Sequence, residues 1–299
     1  PSYWVFVVGV IIIGACDGLF HIPARSLLSD FYVTKRNRAF GIHLIAIDIA
    51  GILAALVAIV AVATWRAVFI PVLFAAIGVL ILYHTSSRGH YVFHSVSLEF
   101  TSTMKRLFHS SSIRKLIFVN GLFSFVFQGF IGFLPLFLQA YHGFSPAFAA
   151  AGFALLFVIG LFIKPISGEL ADRFGGAPIT IVSLFLIAVG ILSLLVFSNL
   201  FILLGGIALV AVGQKAFTPP MQSILLDAVS QESNAGDYGA VRTIFFGIGS
   251  MGPLYIGIMA SILGYEFAFA GFILCMLLGA FMLFELGTKY NHNSANAAP

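Results

Sequence analysis

The chain has 299 residues, of which 60% are hydrophobic and only 9% charged, with a formal net charge of +4 and a mean hydropathy of +1.07. A soluble domain carries about 25% charged residues, so a fully water-facing surface cannot be built from this sequence. Its two cysteines, Cys16 and Cys275, both lie in apolar runs and give no disulfide framework, and the modest positive charge reads through membrane topology rather than as a nucleic-acid footprint.

Apolar runs of roughly 20 residues recur along the chain, the signature of membrane-spanning helices. Nine are predicted, at 3–28, 39–63, 66–84, 113–140, 145–166, 177–198, 200–228, 237–262 and 265–287. The sequence opens on Pro1, without a methionine and without the charged flank of a signal peptide. The expectation is a piece whose beginning is missing.

In chain order, the first helix carries Asp17, His21 and Arg25, spaced by four and therefore on one face. The second holds Asp48 near its middle. A polar connection, 85–112, follows the third; within it VSLEFTSTMKRLF reads either as an amphipathic surface helix or as a solvated linker. His90 and His94 in this connection have the spacing of two metal ligands, with His84 and His109 nearby, but no further ligand box accompanies them. The fourth helix repeats the four-residue polar stripe as Asn120, Ser124 and Gln128. The fifth ends near Lys164, placed where a lysine can snorkel to the membrane surface, and leads into Gly168-Glu-Leu-Ala-Asp-Arg-Phe-Gly-Gly176. The seventh presents Gln214, Lys215, Thr218 and Gln222. The eighth has Arg242 near its start and a glycine-proline stretch, Gly249-Ser-Met-Gly-Pro253. A charge deep in a span costs roughly 2.5–3.5 kcal/mol and needs water, a partner or a purpose. Asp17, Asp48 and Lys215 are the deep ones, and the repeat lets Lys215 and Asp17 face each other at similar depth, either as a structural pair or as an anion site beside a proton acceptor.

Positive residues concentrate on alternate connections: Lys35, Arg36 and Arg38; Arg88, Lys105, Arg106, Arg114 and Lys115; Arg173; and Lys289. Positive-inside bias puts these connections and the C-terminal tail, 288–299, in the cytoplasm.

Pro23-Ala-Arg-Ser-Leu-Leu-Ser-Asp30 returns as Pro220-Met-Gln-Ser-Ile-Leu-Leu-Asp227, with proline, serine, the second leucine and aspartate coinciding. Gly9, Gly41 and Gly51 fall on Gly206, Gly239 and Gly249 in the same order, with a one-residue insertion. Parallel structural repeats leave such a period. The first three helices (1–84) thus correspond to the last three of a six-helix unit spanning 113–287, and a complete chain is expected to have twelve spans.

The repeat, the long middle connection and the Gly168–Gly176 segment together resemble the major facilitator superfamily. Gly168, Leu170, Ala171, Asp172, Arg173 and Gly175 match the family's signature loop, whereas Gly176, Ala177 and Pro178 replace its basic ending. Trp65-Arg66 and Phe69 resemble the start of the family's sixth helix. The resemblance implies an all-α polytopic fold made of two six-helix bundles, with three helices lacking here. It also implies that Gly168, Asp172, Arg173 and Gly175 form a conformational latch between bundles: Asp172 accepts from a helix N-terminus, and Arg173 pairs with the neighbouring bundle. The arginine of the family's fourth helix is absent near Val10, and the antiporter proline-glycine pattern is replaced by Asp48-Ile-Ala-Gly-Ile-Leu-Ala-Ala55.

The resulting expectation is a monomeric secondary transporter in the plasma membrane, not an enzyme and without a cofactor. It moves a small organic solute, tilted toward an organic anion, and is coupled to protons through Asp17 or Asp48. Asp17, His21, Arg25, Asn120, Ser124, Gln128, Gln214, Lys215 and Thr218 would line the cavity. Three alternatives stay open: a multidrug efflux antiporter, a histidine-ligated membrane metalloenzyme, and a remnant that transports nothing.

Overall fold

The computed structural model describes residues 3–64, 69–86, 100–229 and 234–296, and within these every side chain but those of 17–18, 21–23, 26, 54–64, 100, 234–235 and 288–296. Ten helices account for nearly all of the described backbone: α1 (Tyr3–Phe31), α2 (Arg36–Thr64), α3 (Phe69–Ser86), α4 (Phe100–His109), α5 (Ser111–Ala140), α6 (Pro146–Phe174), α7 (Gly176–Val196), α8 (Leu200–Ala228), α9 (Asn234–Ile262) and α10 (Tyr265–Asn296). In lipid each backbone polar group must be satisfied within the protein, which leaves the helix as the natural form of such apolar runs.

Local chemistry sets the ends. Ser110, Ser145 and Asn199 each accept a hydrogen bond from an amide in the first turn of α5, α6 and α8, and Pro146 opens α6 where its missing N–H costs nothing. α6 stops at Gly175, whose φ of +89° lies in the region that favours glycine, and α7 begins at the next residue.

All nine predicted helices have a counterpart, α1–α3 and α5–α10, while the middle connection adds α4. Among the described residues, seven helices are long and apolar enough to cross a membrane: α3 and α5 to α10. α1 and α2 are equally long, at 29 residues each. The side chains of 17–18 in α1 and of 54–64 in α2 lie outside the described residues, and the apolar run described in α1 is Tyr3–Cys16.

α8 is the hub. It packs against α7 and α6, α7 packs in turn against α10, and α5 lies along α9. The buried side chains of these helices form one continuous core, including Phe130, Phe137, Leu184, Ile191, Ile207, Val210, Phe269 and Phe272. α2 packs chiefly on α6 and also on α8, and α1 rests on α9. None of the described residues of α3 is buried. α4 lies against α5 and α9, with Leu107 buried and Met104 packed on the core. Arg106 anchors it through a 2.8 Å ion pair to the buried carboxylate of Asp237 on α9.

Candidate functional site

Side chains of α1, α2, α5, α6, α8 and α9 line a cavity of about 500 Å³. Its wall is largely aromatic, with Phe123 and Phe127 from α5, Phe157 from α6, Phe217 from α8, and Phe245 and Phe246 from α9. Phe123 and Phe217 stack at 3.9 Å between centroids. Into this apolar wall project Arg25, Lys164, Lys215 and Arg242, together with Asn120, Ser124, Gln128, Gln214, Thr218 and Gln222.

Three charges meet at mid-depth. Asp48 of α2 is 0% exposed, and Lys164 and Lys215 are 4% and 3% exposed, so none keeps its own hydration. Lys215 Nζ donates to Asp48 Oδ1 at 2.6 Å, while Lys164 Nζ lies 2.5 Å from Oδ2 and donates to the Leu44 carbonyl at 2.8 Å. The Lys215 ammonium also sits 4.6 Å from the centre of the Phe157 ring, a cation–π contact that a dry site strengthens. Gly160 of α6 lies directly against the carboxylate, and any side chain there would overlap it. One carboxylate against two ammonium groups leaves a formal surplus of one positive charge beside the cavity.

Lys215 is paired with Asp48. α2, not α1, is the helix that crosses both α6 and α8, so its acid reaches the lysines of both. The expectation for Lys164 is corrected, because its ammonium is drawn inward to Asp48 and does not snorkel. The side chains of Asp17 and His21 lie outside the described residues, as do His90 and His94. Among the described residues no three of His, Cys, Asp and Glu cluster as a metal site. Arg25, Asn120, Ser124, Gln128, Gln214, Lys215 and Thr218 do face one cavity. Sequence inspection missed Tyr238, whose hydroxyl accepts from Arg25 Nη1 at 3.1 Å; nothing in its local pattern marks it. Arg242, which the sequence places only near the start of its helix, lines the cavity with its guanidinium 4.9 Å from the Phe246 ring centre.

Some 12 residues before Asp48 on α2, a second set of contacts closes one end of the molecule. Asp172 of α6 accepts from the Asn37 amide at 3.1 Å, the Asn37 side chain at 2.7 Å and the Arg38 amide at 3.0 Å, so it caps the start of α2. A carboxylate there satisfies donors that have no partner inside the helix and meets the positive end of its dipole. Gly168 lies on the same seam, and a Cβ on it would overlap the Asn37 carbonyl and Arg38 Cα. Arg38 crosses to Glu169 at 2.9 Å, and Arg36 reaches α8 through Ser223, at 2.7 Å, and Asp227. Arg173 differs from expectation: it pairs with Glu169, one turn back in its own helix at 2.5 Å, and Arg38 is the arginine that bridges the seam.

A family model described as Major Facilitator Superfamily matches residues 1–180 and again 116–299, which together span the whole chain. The chain belongs to the major facilitator superfamily. Two solved structures share the fold. One is a human protein described as the organic anion transporter MFSD10 (TETRAN), at 24% identity and a TM-score of 0.52, over 58% of this chain and 41% of that one. The other is a bacterial homologue of the human lysosomal transporter Spinster, inward-facing and unoccupied, at 19% identity and a TM-score of 0.61, over 88% of this chain and 73% of that one. The chain thus spans less than half of the human transporter's length. The all-helical, multi-pass membrane architecture expected from the sequence holds.

Proposed function

We propose that this superfamily member is a secondary active transporter that moves a small organic anion across the membrane by alternating access. The observation that carries the reading is the Lys164–Asp48–Lys215 cluster on the wall of the cavity, whose surplus positive charge is buried where hydration cannot satisfy it. An anionic group entering the cavity supplies the missing counter-charge, and the aromatic wall accepts its apolar body.

Coupling follows from the same three residues. A proton on the Asp48 carboxylate removes the charge that holds both lysines and frees them for the anion, so proton and anion binding favour each other. Asp172 and Gly168, with Gly175 ending α6, act as a latch that holds α2 against α6 while that end is closed; Arg38 and Glu169 reinforce it. Positive-inside bias puts the latch end in the cytoplasm, and the plasma membrane and a monomeric state complete the reading. The resemblance in fold to a human organic anion transporter fits the substrate class.

The test is uptake of radiolabelled organic anions into proteoliposomes under an imposed pH gradient. Saturable uptake that rises with the gradient and is lost in Lys215→Gln is expected. Uptake unchanged by that substitution and by collapse of the gradient would remove both the anion site and the coupling.

A further inference from the structure

The cavity is polar at two levels and apolar between them. On α8, Lys215 and Gln222 are seven residues apart, two turns along one face, which separates them by about 10 Å along the helix. Phe217 and Met221 lie between them on the cavity wall, and Phe123 of α5 stacks on Phe217 there. The deeper level holds Lys164, Lys215 and Gln214. The level nearer the latch holds Arg25, Arg242, Asn120 and Gln222, from α1, α9, α5 and α8. All seven side chains are more than nine-tenths buried.

The second level is built as a recognition site. Arg25 Nε and the Asn120 side-chain nitrogen are buried donors without a hydrogen-bond partner in the protein, and Gln222 Oε1 is a buried acceptor in the same condition. At the deeper level both polar atoms of the Gln214 amide are unpartnered. Buried polar groups are normally satisfied, so unpaired donors around a cavity mark what its occupant must bring. Tyr238 orients Arg25 from behind through its hydroxyl. Asp237, the acid beside it in sequence, is engaged by Arg106.

We infer that the occupant is a two-ended organic dianion: an acidic group at each level, about 10 Å apart, joined by a flat apolar body lying against Phe123, Phe217 and Met221. The inference rests on the organic-anion reading and narrows it. A single carboxylate at Lys215 leaves the Arg25 level unmatched, whereas a dianion meets both cationic levels at once. Asn120 and Gln214 then add donors to its oxygens. The aromatic belt selects against short, strongly hydrated diacids, which bring nothing to fill it.

Biphenyl-4,4′-dicarboxylate has its acid groups at about this separation and biphenyl-4-carboxylate lacks one of them, while terephthalate is too short to reach both levels. Binding of the three is measured by calorimetry on the purified chain in nanodiscs. The long diacid is expected to bind about tenfold or more tighter than the monoacid, as one added charge pair in a buried site provides. Arg25→Gln should erase that advantage and leave monoacid affinity in place, and Arg25→Lys should restore part of it; Lys215→Gln should weaken both ligands. Equal affinity of mono- and diacid, or terephthalate matching the long diacid, overturns the two-ended inference and leaves the organic-anion reading standing. No binding by any of the three to protein with intact thermal unfolding sinks both.

Discussion

α2 is tied to the rest of the molecule twice, by two carboxylates in opposite surroundings. At the latch, Asp172 holds the first turn of α2 through backbone amides, among arginines such as Arg38 whose side chain is 46% exposed. Three turns deeper, Asp48 holds two lysines with all three side chains almost wholly buried on the cavity wall. The difference lies in what waits on the other side of breakage. Latch groups that separate are taken up by solvent, and such surface contacts are worth about 1 kcal/mol or less each. The buried cluster has no such alternative, since removing one member leaves uncompensated charge in a low-dielectric interior. In the proposed transport cycle the latch opens by thermal motion, whereas the inner tie opens only when an anion or a proton takes over part of the charge.

The largest effect should come from Asp48→Ala, which strands both lysines. A loss of about 3–5 kcal/mol is expected, seen as a lower thermal midpoint of the detergent-purified protein. Adding Lys164→Met and Lys215→Met should return most of that stability, because an apolar replacement of similar volume removes the stranded charge. A single variant as stable as wild type would erase the contrast between the two ties.

An intermediate effect is expected from Gly168→Leu. The added side chain meets the backbone of Asn37 and Arg38 and forces α2 from α6, at a cost of about 1–3 kcal/mol for overpacking. Hydrogen exchange of the Asn37 and Arg38 amides, now bonded to Asp172, should accelerate while the Asp48 region stays protected. Acceleration at both levels would mean that the two ties open together, contrary to the sequence of events drawn above.

The smallest effect is at the opposite end, away from both ties. His142, in the connection after α5, lies within hydrogen-bond distance of the Leu194 carbonyl, with Nε2 2.9 Å away, and its ring packs edge-on against Phe137 and Tyr141. Burial pushes its pKa below the ordinary 6.5, partly opposed by the bond to Leu194. The folded state thus favours neutral imidazole, and the contribution is complete above pH 6.5 and lost as pH falls through the lowered value. His142→Gln should flatten the decline in thermal midpoint below pH 6.5; an unaltered slope would show that another group controls it.

How far the sequence reached follows the same division between local and tertiary causes. Helix order and approximate limits were readable because a span is set by its own apolar run. Asp172 was readable as an acceptor at a helix start because its segment carries a family pattern, although Arg173 was assigned the crossing role that Arg38 takes. The pairing of Lys215 with Asp48 was not readable, because depth along a helix says nothing of which helices touch. That depends on α2 lying against both α6 and α8, with Gly160 leaving room for the carboxylate. α4 stood undecided between helix and linker because its apolar residues are few; Leu107 and the Arg106–Asp237 pair settle it through tertiary contact.

The wide spacing of the buried cluster along the chain bears on how the protein is made. Asp48 and Lys215 are separated by 167 residues, so at a ribosomal rate of about 5–20 residues per second the acid emerges roughly 10–30 s before that lysine. Until Lys164 and then Lys215 follow, the nascent α2 must enter the bilayer with its carboxylate unmatched, and the late-arriving α8 completes the cluster.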